Sequence, residues 1–146
     1  MAKLIECVPN FSEGRRPDVL DAICAAITSV VGVTLLDKEM DRDHNRAVVT
    51  FVCHPSLVVE AAFRGYQKAA ELIDMRTHTG EHPRMGACDV CPFIPLSEVT
   101  IEEASPDVFP WRIKGPAMYL KLVSEKKTQL FTFGPYSKPS QVLAPI

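Results

Sequence analysis

The densest concentration of groups able to do chemistry lies in Met75-Arg76-Thr77-His78-Thr79-Gly80-Glu81-His82-Pro83-Arg84-Met85-Gly86-Ala87, where two histidines, two arginines and a glutamate share one short stretch. Histidine exchanges protons near its ordinary pKa of ~6.5, which suits acid or base work at neutral pH. Arginine offers a fixed fork of donors that fits a substrate carboxylate. Two glycines and a proline make the stretch a loop, and loops are where such groups reach a ligand. The plain alternative is a solvated turn after a helix, with a histidine bonded to backbone. Spacing alone does not separate the two.

A second cluster is Asp37-Lys38-Glu39-Met40-Asp41-Arg42-Asp43-His44-Asn45, nine polar or charged positions but for Met40, between two apolar runs. It reads as a loop that could serve a site, or as a charged surface loop whose Asp41, Arg42 and Asp43 pair with one another in water. Zinc has to be weighed, because His78 and His82 are four apart and Cys88-Asp89-Val90-Cys91 follows closely. Strand alternation would send Cys88 and Cys91 to opposite faces, and Gly80 and Pro83 keep the histidines off a regular helix. No metal is therefore expected. A redox role for the cysteine pair fits no better, since that motif should open a helix after a strand. His54 precedes Pro55 and reads as a residue that opens a helix.

The elements that must position these loops follow from periodicity. Lys3 to Val8 is a short strand stopped by Pro9-Asn10, and Asn10 to Gly14 is a turn. A helix opens at Pro17-Asp18, with Leu20, Ile23, Cys24 and Ile27 repeating along its core face until Gly32. Val33 to Leu36 and Arg46 to Cys53 are strands. Pro55-Ser56 opens a long helix that buries Leu57, Val58, Ala61, Ala62, Ala69, Leu72 and Ile73 and fades at Asp74-Met75. Asp89 to Ile94 is a last strand, with Pro92 arguing for an edge or a bulge. The order β-α-β-β-α-β is the ferredoxin-like arrangement, an α+β sheet with both helices on one face. Beyond Leu96 prolines break the chain repeatedly, so residues 104–146 read as an irregular C-terminal segment.

At 146 residues the chain can hold a real hydrophobic core. Its formal net charge of −2 gives no electrostatic reason to expect nucleic acid or an anionic membrane as partner. No apolar stretch approaches the ~20 residues that span a bilayer. Met1-Ala2-Lys3-Leu4-Ile5-Glu6 meets charge too early for a secretory signal. Five cysteines, an odd number and several in apolar segments, suit reduced, buried thiols. A cytoplasmic protein is the expectation.

Cys7-Val8-Pro9-Asn10-Phe11-Ser12-Glu13-Gly14, Leu35-Leu36-Asp37, Asn45-Arg46, Leu72-Ile73-Asp74-Met75, Gly80-Glu81-His82-Pro83-Arg84-Met85-Gly86-Ala87 and Asp89-Val90-Cys91-Pro92-Phe93-Ile94-Pro95 occur in that order. Together they resemble the N-terminal subdomain of the formiminotransferase family, over about residues 1–103. The resemblance implies two α/β subdomains with folate in the cleft between them, acting as a homodimer. It implies transfer of a formimino group from formiminoglutamate to tetrahydrofolate, within one-carbon metabolism and histidine catabolism. The family's catalytic histidine falls on His82, with the role of general base. Asn10, Asp37, Asn45, Arg46 and Arg84 are the accompanying candidates for substrate binding, chosen by residue type and position.

Two departures from the family pattern stand out. Glu39 replaces an aspartate, and Cys88 replaces a leucine. After Glu103 no counterpart of the second subdomain follows. The expectation is thus a transferase-like domain that is weak or inactive alone, with a homodimer or a partner supplying the other wall. The alternative is a non-catalytic folate-binding or protein-interaction module.

Overall fold

A computed structural model describes residues 2–81, 84 and 86–104. The centre of the sheet is β4, Arg46–Cys53, whose residues alternate strictly between half-buried and buried. On one side it pairs with β3, Thr34–Asp41, in an antiparallel hairpin. On the other it meets an interrupted strand made of β1, Leu4–Cys7, and β2, Asn10–Phe11. A second interrupted strand, β5 (Cys88–Val90) with β6 (Phe93–Ser97), lies beyond, β5 on β2 and β6 on β1. Both interruptions fall at prolines, which lack the ladder donor. Pairing crosses them all the same: the Val49 amide donates to Pro9 O at 3.1 Å and the Val8 amide to Pro92 O at 3.2 Å. Every neighbour is antiparallel, which is the expected ferredoxin-like order.

Helix α1, Pro17–Thr28, starts on proline with no side-chain cap from Arg16. The cap is supplied from upstream instead. Buried Glu13 accepts the amides of Arg15 and Arg16 through Oε1, at 2.8 and 3.0 Å, and Arg16 Nε through Oε2 at 2.7 Å. Helix α2, Pro55–Leu72, is capped by His54, whose Nδ1 accepts the Ser56 amide at 3.1 Å. The expected apolar stripe of α1 is buried, and most of that of α2 is too, although Leu72 is exposed. The largest fully buried side chain, Tyr66, was not part of the expected stripe. The helices approach closely at Gly65, where a Cβ would come within 2.9 Å of Ile27 Cγ1. They share one core with Ile5, Cys7, Phe11, Val49, Phe51 and Cys53, each isoleucine, valine or phenylalanine contributing about 1.5–3 kcal/mol on burial.

Three expectations need correction. The charged run from Asp37 is strand as far as Asp41; only residues 42–45 form the turn. β3 pairs with β4 alone, so it is an edge strand, and edges tolerate charge that would be excluded from the sheet's middle. Helix α1 stops at Thr28, four residues before Gly32, which occupies a turn at φ 97. The last strand is two short ones, because the chain breaks at Cys91-Pro92. A short α3, Ile101–Ala104, follows β6 and straddles the expected 103/104 division. The segment 105–146 lies outside the described residues.

The alternation of β4 defines the other face of the sheet, turned away from α1 and α2. It carries half-buried Glu6, Val8, Asn10, Arg46, Val48, Thr50 and Val52, with Val90, Ile94 and Leu96 exposed at its margin.

Candidate functional site

Three loops meet at Asn45. This residue ends the β3–β4 turn with φ 50, a left-handed conformation that asparagine tolerates better than most residues. Its Oδ1 accepts the Gly14 amide at 2.8 Å, and its Nδ2 donates to Thr79 O at 2.9 Å. His78 Nε2 lies 2.9 Å from Asn45 O, and the Glu81 amide donates to Asp43 O at 3.1 Å. Arg15 adds bonds to Arg42 O at 3.1 Å and Thr79 Oγ1 at 3.3 Å. The approach is possible only with glycine at two points. A Cβ on Gly14 would stand 2.1 Å from Asp41 O, and one on Gly80 would stand 2.4 Å from His44 O. The Asp37–Asn45 and Met75–Ala87 segments are therefore in direct contact.

Within the turn, Asp41 holds His44 twice: Oδ1 accepts the His44 amide at 3.0 Å, and Oδ2 lies 2.6 Å from Nδ1. That backbone bond, then the imidazole, keeps the Asp41 carboxyl below its ordinary range.

Arg84 is taken up by internal bonds. Its Nε donates to Ser12 Oγ at 2.8 Å and lies 3.1 Å from Asp89 Oδ2, while Nη2 donates to Asn10 O at 3.1 Å. Ser12 in turn donates to Gly86 O at 2.6 Å, and Asp89 Oδ1 accepts the Gly86 amide at 2.7 Å. The Arg84 side chain is 5% exposed. Burial lowers its pKa, against the opposing pull of Asp89.

Asn10, Arg46 and Asp37 project from the sheet face away from the helices. Asn10 is opposite Val48, Asp41 opposite Arg46, and Asp37 opposite Thr50. Asn10 Oδ1 is buried with no hydrogen-bond donor. Among the described residues the Arg46 guanidinium meets no acceptor at bonding distance. Such unsatisfied polar atoms on an otherwise paired surface are where a ligand's own groups would be expected.

The cysteines take a different part. Cys88 and Cys91 do not point to opposite faces, since the strand ends at Val90 and both are buried in the core. Cys7 Sγ and Cys91 Sγ are 3.3 Å apart. Burial pushes the Cys7 and Cys88 thiols and the Tyr66 phenol well above their ordinary values. Among the described residues, no three His, Cys, Asp or Glu side chains are gathered as a metal-ligand set. No described helix is long and apolar enough to cross a membrane.

A family model described as the formiminotransferase domain, N-terminal subdomain, matches residues 4–106. The chain belongs to this family. It is 59% identical over 99 residues to a glutamate formimidoyltransferase of Thermoplasma acidophilum, covering 68% of this chain and 33% of that protein. It is 52% identical over 103 residues to a glutamate formimidoyltransferase of Streptococcus pyogenes, covering 70% and 34%. It is 54% identical over 103 residues to the formimidoyltransferase-cyclodeaminase of Rattus norvegicus, covering 70% and 19%. The chain thus spans about a third or less of the length of these relatives.

For this formiminotransferase-family subdomain, the structure gives the candidates distinct surroundings. His82 lies outside the described residues, although Glu81 and Arg84 on either side of it are placed. Asn45 and Arg84 are occupied by internal bonds. Among the described residues Asn10 and Arg46 have polar atoms to spare, and Asp37 accepts only the amide of Lys38, at 2.9 Å. Sequence reasoning missed Ser12, Gly14 and Asp89 as builders of the site. The small residues of the 10–14 turn were visible, but nothing in them disclosed partners seventy positions away.

Proposed function

We propose that this chain forms one wall of a formimino-transfer site, with His82 as general base and then general acid. In the reaction a bond forms between N5 of tetrahydrofolate and the formimino carbon, and the bond from that carbon to the glutamate nitrogen breaks. His82 takes the proton from the attacking nitrogen and returns it to the departing one, so the cycle closes with no net proton uptake. Asn10 Oδ1 is suited to accept an N–H of the substrate, and Arg46 to hold a carboxylate. Asp37 extends the acceptor character of the same face. Asn45 and Arg84 act on this reading through the loops they tie down. Tetrahydrofolate is a co-substrate here, and formiminoglutamate the donor.

The observation that carries this reading is the pinning of residues 78–81 against the β3–β4 turn, at the edge of a sheet face where, among the described residues, Asn10 Oδ1 and the Arg46 guanidinium meet no partner. Because the chain spans a third or less of its relatives, we further propose that transfer by the chain alone is weak, and that a second copy or another protein completes the cleft. Residues 1–103 are the functional unit in this proposal, and a cytoplasmic location is part of it. The test is formimino transfer to tetrahydrofolate by purified protein beside His82→Ala. Transfer that is unchanged in His82→Ala would remove the residue from the mechanism.

A second reading, a non-catalytic folate-binding or interaction module, is favoured by the exposed Val90, Ile94 and Leu96 beside that same face. Folate binding without any transfer, at every concentration of added relative, would decide for it.

A further inference from the structure

We propose that Asn45 is a positioning residue for the loop that carries His82, an inference that rests on the transfer reading above. Its side chain bonds both of the other segments, Oδ1 to the Gly14 amide and Nδ2 to Thr79 O, from a buried position, whereas Arg15 bridges Arg42 O and Thr79 Oγ1 through exposed contacts. Asn45 is 8% exposed, so neither bond competes freely with water. Its backbone is left-handed, at φ 50, and its amide lies between Gly14 and Thr79. Thr79 is three residues before His82, and the clamp is reinforced on the same stretch by Glu81 donating to Asp43 O and by Gly80 packed on His44 O. Loss of the Thr79 bond frees the stretch immediately before the histidine, while β1, β2 and β4 keep their own ladders. Small displacements matter here, because a reacting group about 1 Å out of place lowers rate on the order of a hundredfold.

A simpler role exists for Asn45: it fills a left-handed turn position and nothing more. Chemistry separates the two. Asn45→Gly keeps the turn, since glycine adopts positive φ without strain, but removes both side-chain bonds. Asn45→Asp keeps an acceptor for the Gly14 amide, yet it replaces the Nδ2 donor by an oxygen facing Thr79 O. If Asn45 only shaped the turn, both variants would behave as wild type.

The experiment measures three things on wild type, Asn45→Asp and Asn45→Gly. Amide hydrogen exchange at Gly80 and Glu81 is expected to quicken by roughly tenfold in both variants, with β4 amides unchanged. The His82 imidazole resonance is expected to shift, while that of His54, at the start of α2, stays in place. Where the wild type transfers formimino groups, kcat is expected to fall ten- to hundredfold with KM within about twofold. Wild-type exchange and an unmoved His82 signal in both variants would overturn the clamp, whatever the activity. An inactive wild type whose variants still show faster exchange and a shifted His82 signal would leave the clamp standing and count against the transfer reading alone.

Discussion

Arg84 and Asp89 face each other across 3.1 Å with little access to water, their side chains 5% and 18% exposed. Ser12 Oγ lies 2.8 Å from the same guanidinium, so the pair ties the turn after β2 to the end of the Met75–Ala87 loop. Removing one member of a buried pair leaves the other charged and desolvated, which costs about 3–5 kcal/mol. Arg84→Ala should therefore destabilise the fold by about 3 kcal/mol or more in urea unfolding. Arg84→Lys should recover only part of that, because a single ammonium cannot reproduce the guanidinium's fork to Ser12 and Asn10. Full recovery by lysine would reduce the contact to simple charge.

The cysteines should be inert in the folded protein. All five are buried, and desolvation raises the thiol pKa of Cys7 and Cys88 well above normal and that of Cys53 to about 11. Thiolate is the reactive form, and burial both removes it and blocks access. Iodoacetamide at pH 8 should label almost none of them in the native state and all five in denaturant. Rapid native labelling of Cys7 or Cys91 would contradict the packing described.

Acid should loosen the β3–β4 turn. The Asp41 pKa is depressed in the folded chain, first by the His44 amide and then by its imidazole. A depressed carboxylate pKa contributes stability that is complete above the ordinary aspartate range, near ~3.9, and is lost as pH falls through the lower folded value. The contribution is modest, since this pair is open to solvent. Carboxyl-carbon NMR should find Asp41 titrating below the ordinary aspartate range, with His44 amide shifts following the same curve. Asp41 titrating at or above the ordinary range would show that these bonds do not hold in solution.

The parts of the fold written in local pattern were legible from the residues. β4 alternates cleanly, and α1 buries each of Leu20, Ile23, Cys24 and Ile27, so period and burial agree. The run from Asp37 to Asp41 was not legible, because charge argues for a loop and only the pairing with Val48, Val49 and Thr50 makes it strand. Cys88 and Cys91 misled for a related reason: alternation was applied across a strand that ends at Val90. The site shows the same division. Histidine and arginine in the Met75–Ala87 loop announce chemistry, whereas Gly14, Ser12 and Asp89 acquire their roles only through contacts between distant segments. Nor could residue type alone tell Arg46, whose guanidinium meets no acceptor among the described residues, from Arg84, whose guanidinium is bonded on three sides.

The last prediction concerns transfer by the chain alone. The sheet face that carries Asn10 and Arg46 also leaves Val90, Ile94 and Leu96 exposed, and the match covers only 33% and 19% of two relatives that bear a formimidoyltransferase name. In water a histidine hydrogen bond or an arginine–carboxylate contact is weak, because high dielectric screens it; the same contacts in a closed, dehydrated cleft are far stronger. Holding two substrates in reacting geometry contributes on the order of 7–11 kcal/mol to lowering a barrier, and one wall cannot supply most of that. The purified chain should accordingly give weak or undetectable transfer to tetrahydrofolate, with loose folate binding. Adding a full-length relative carrying its own catalytic histidine substitution tests whether a second wall restores turnover through His82. Rescue by wild-type chain and not by His82→Ala would establish both the residue and the missing wall. Robust turnover by the chain alone, abolished in His82→Ala, would keep the residue and refute the need for a partner.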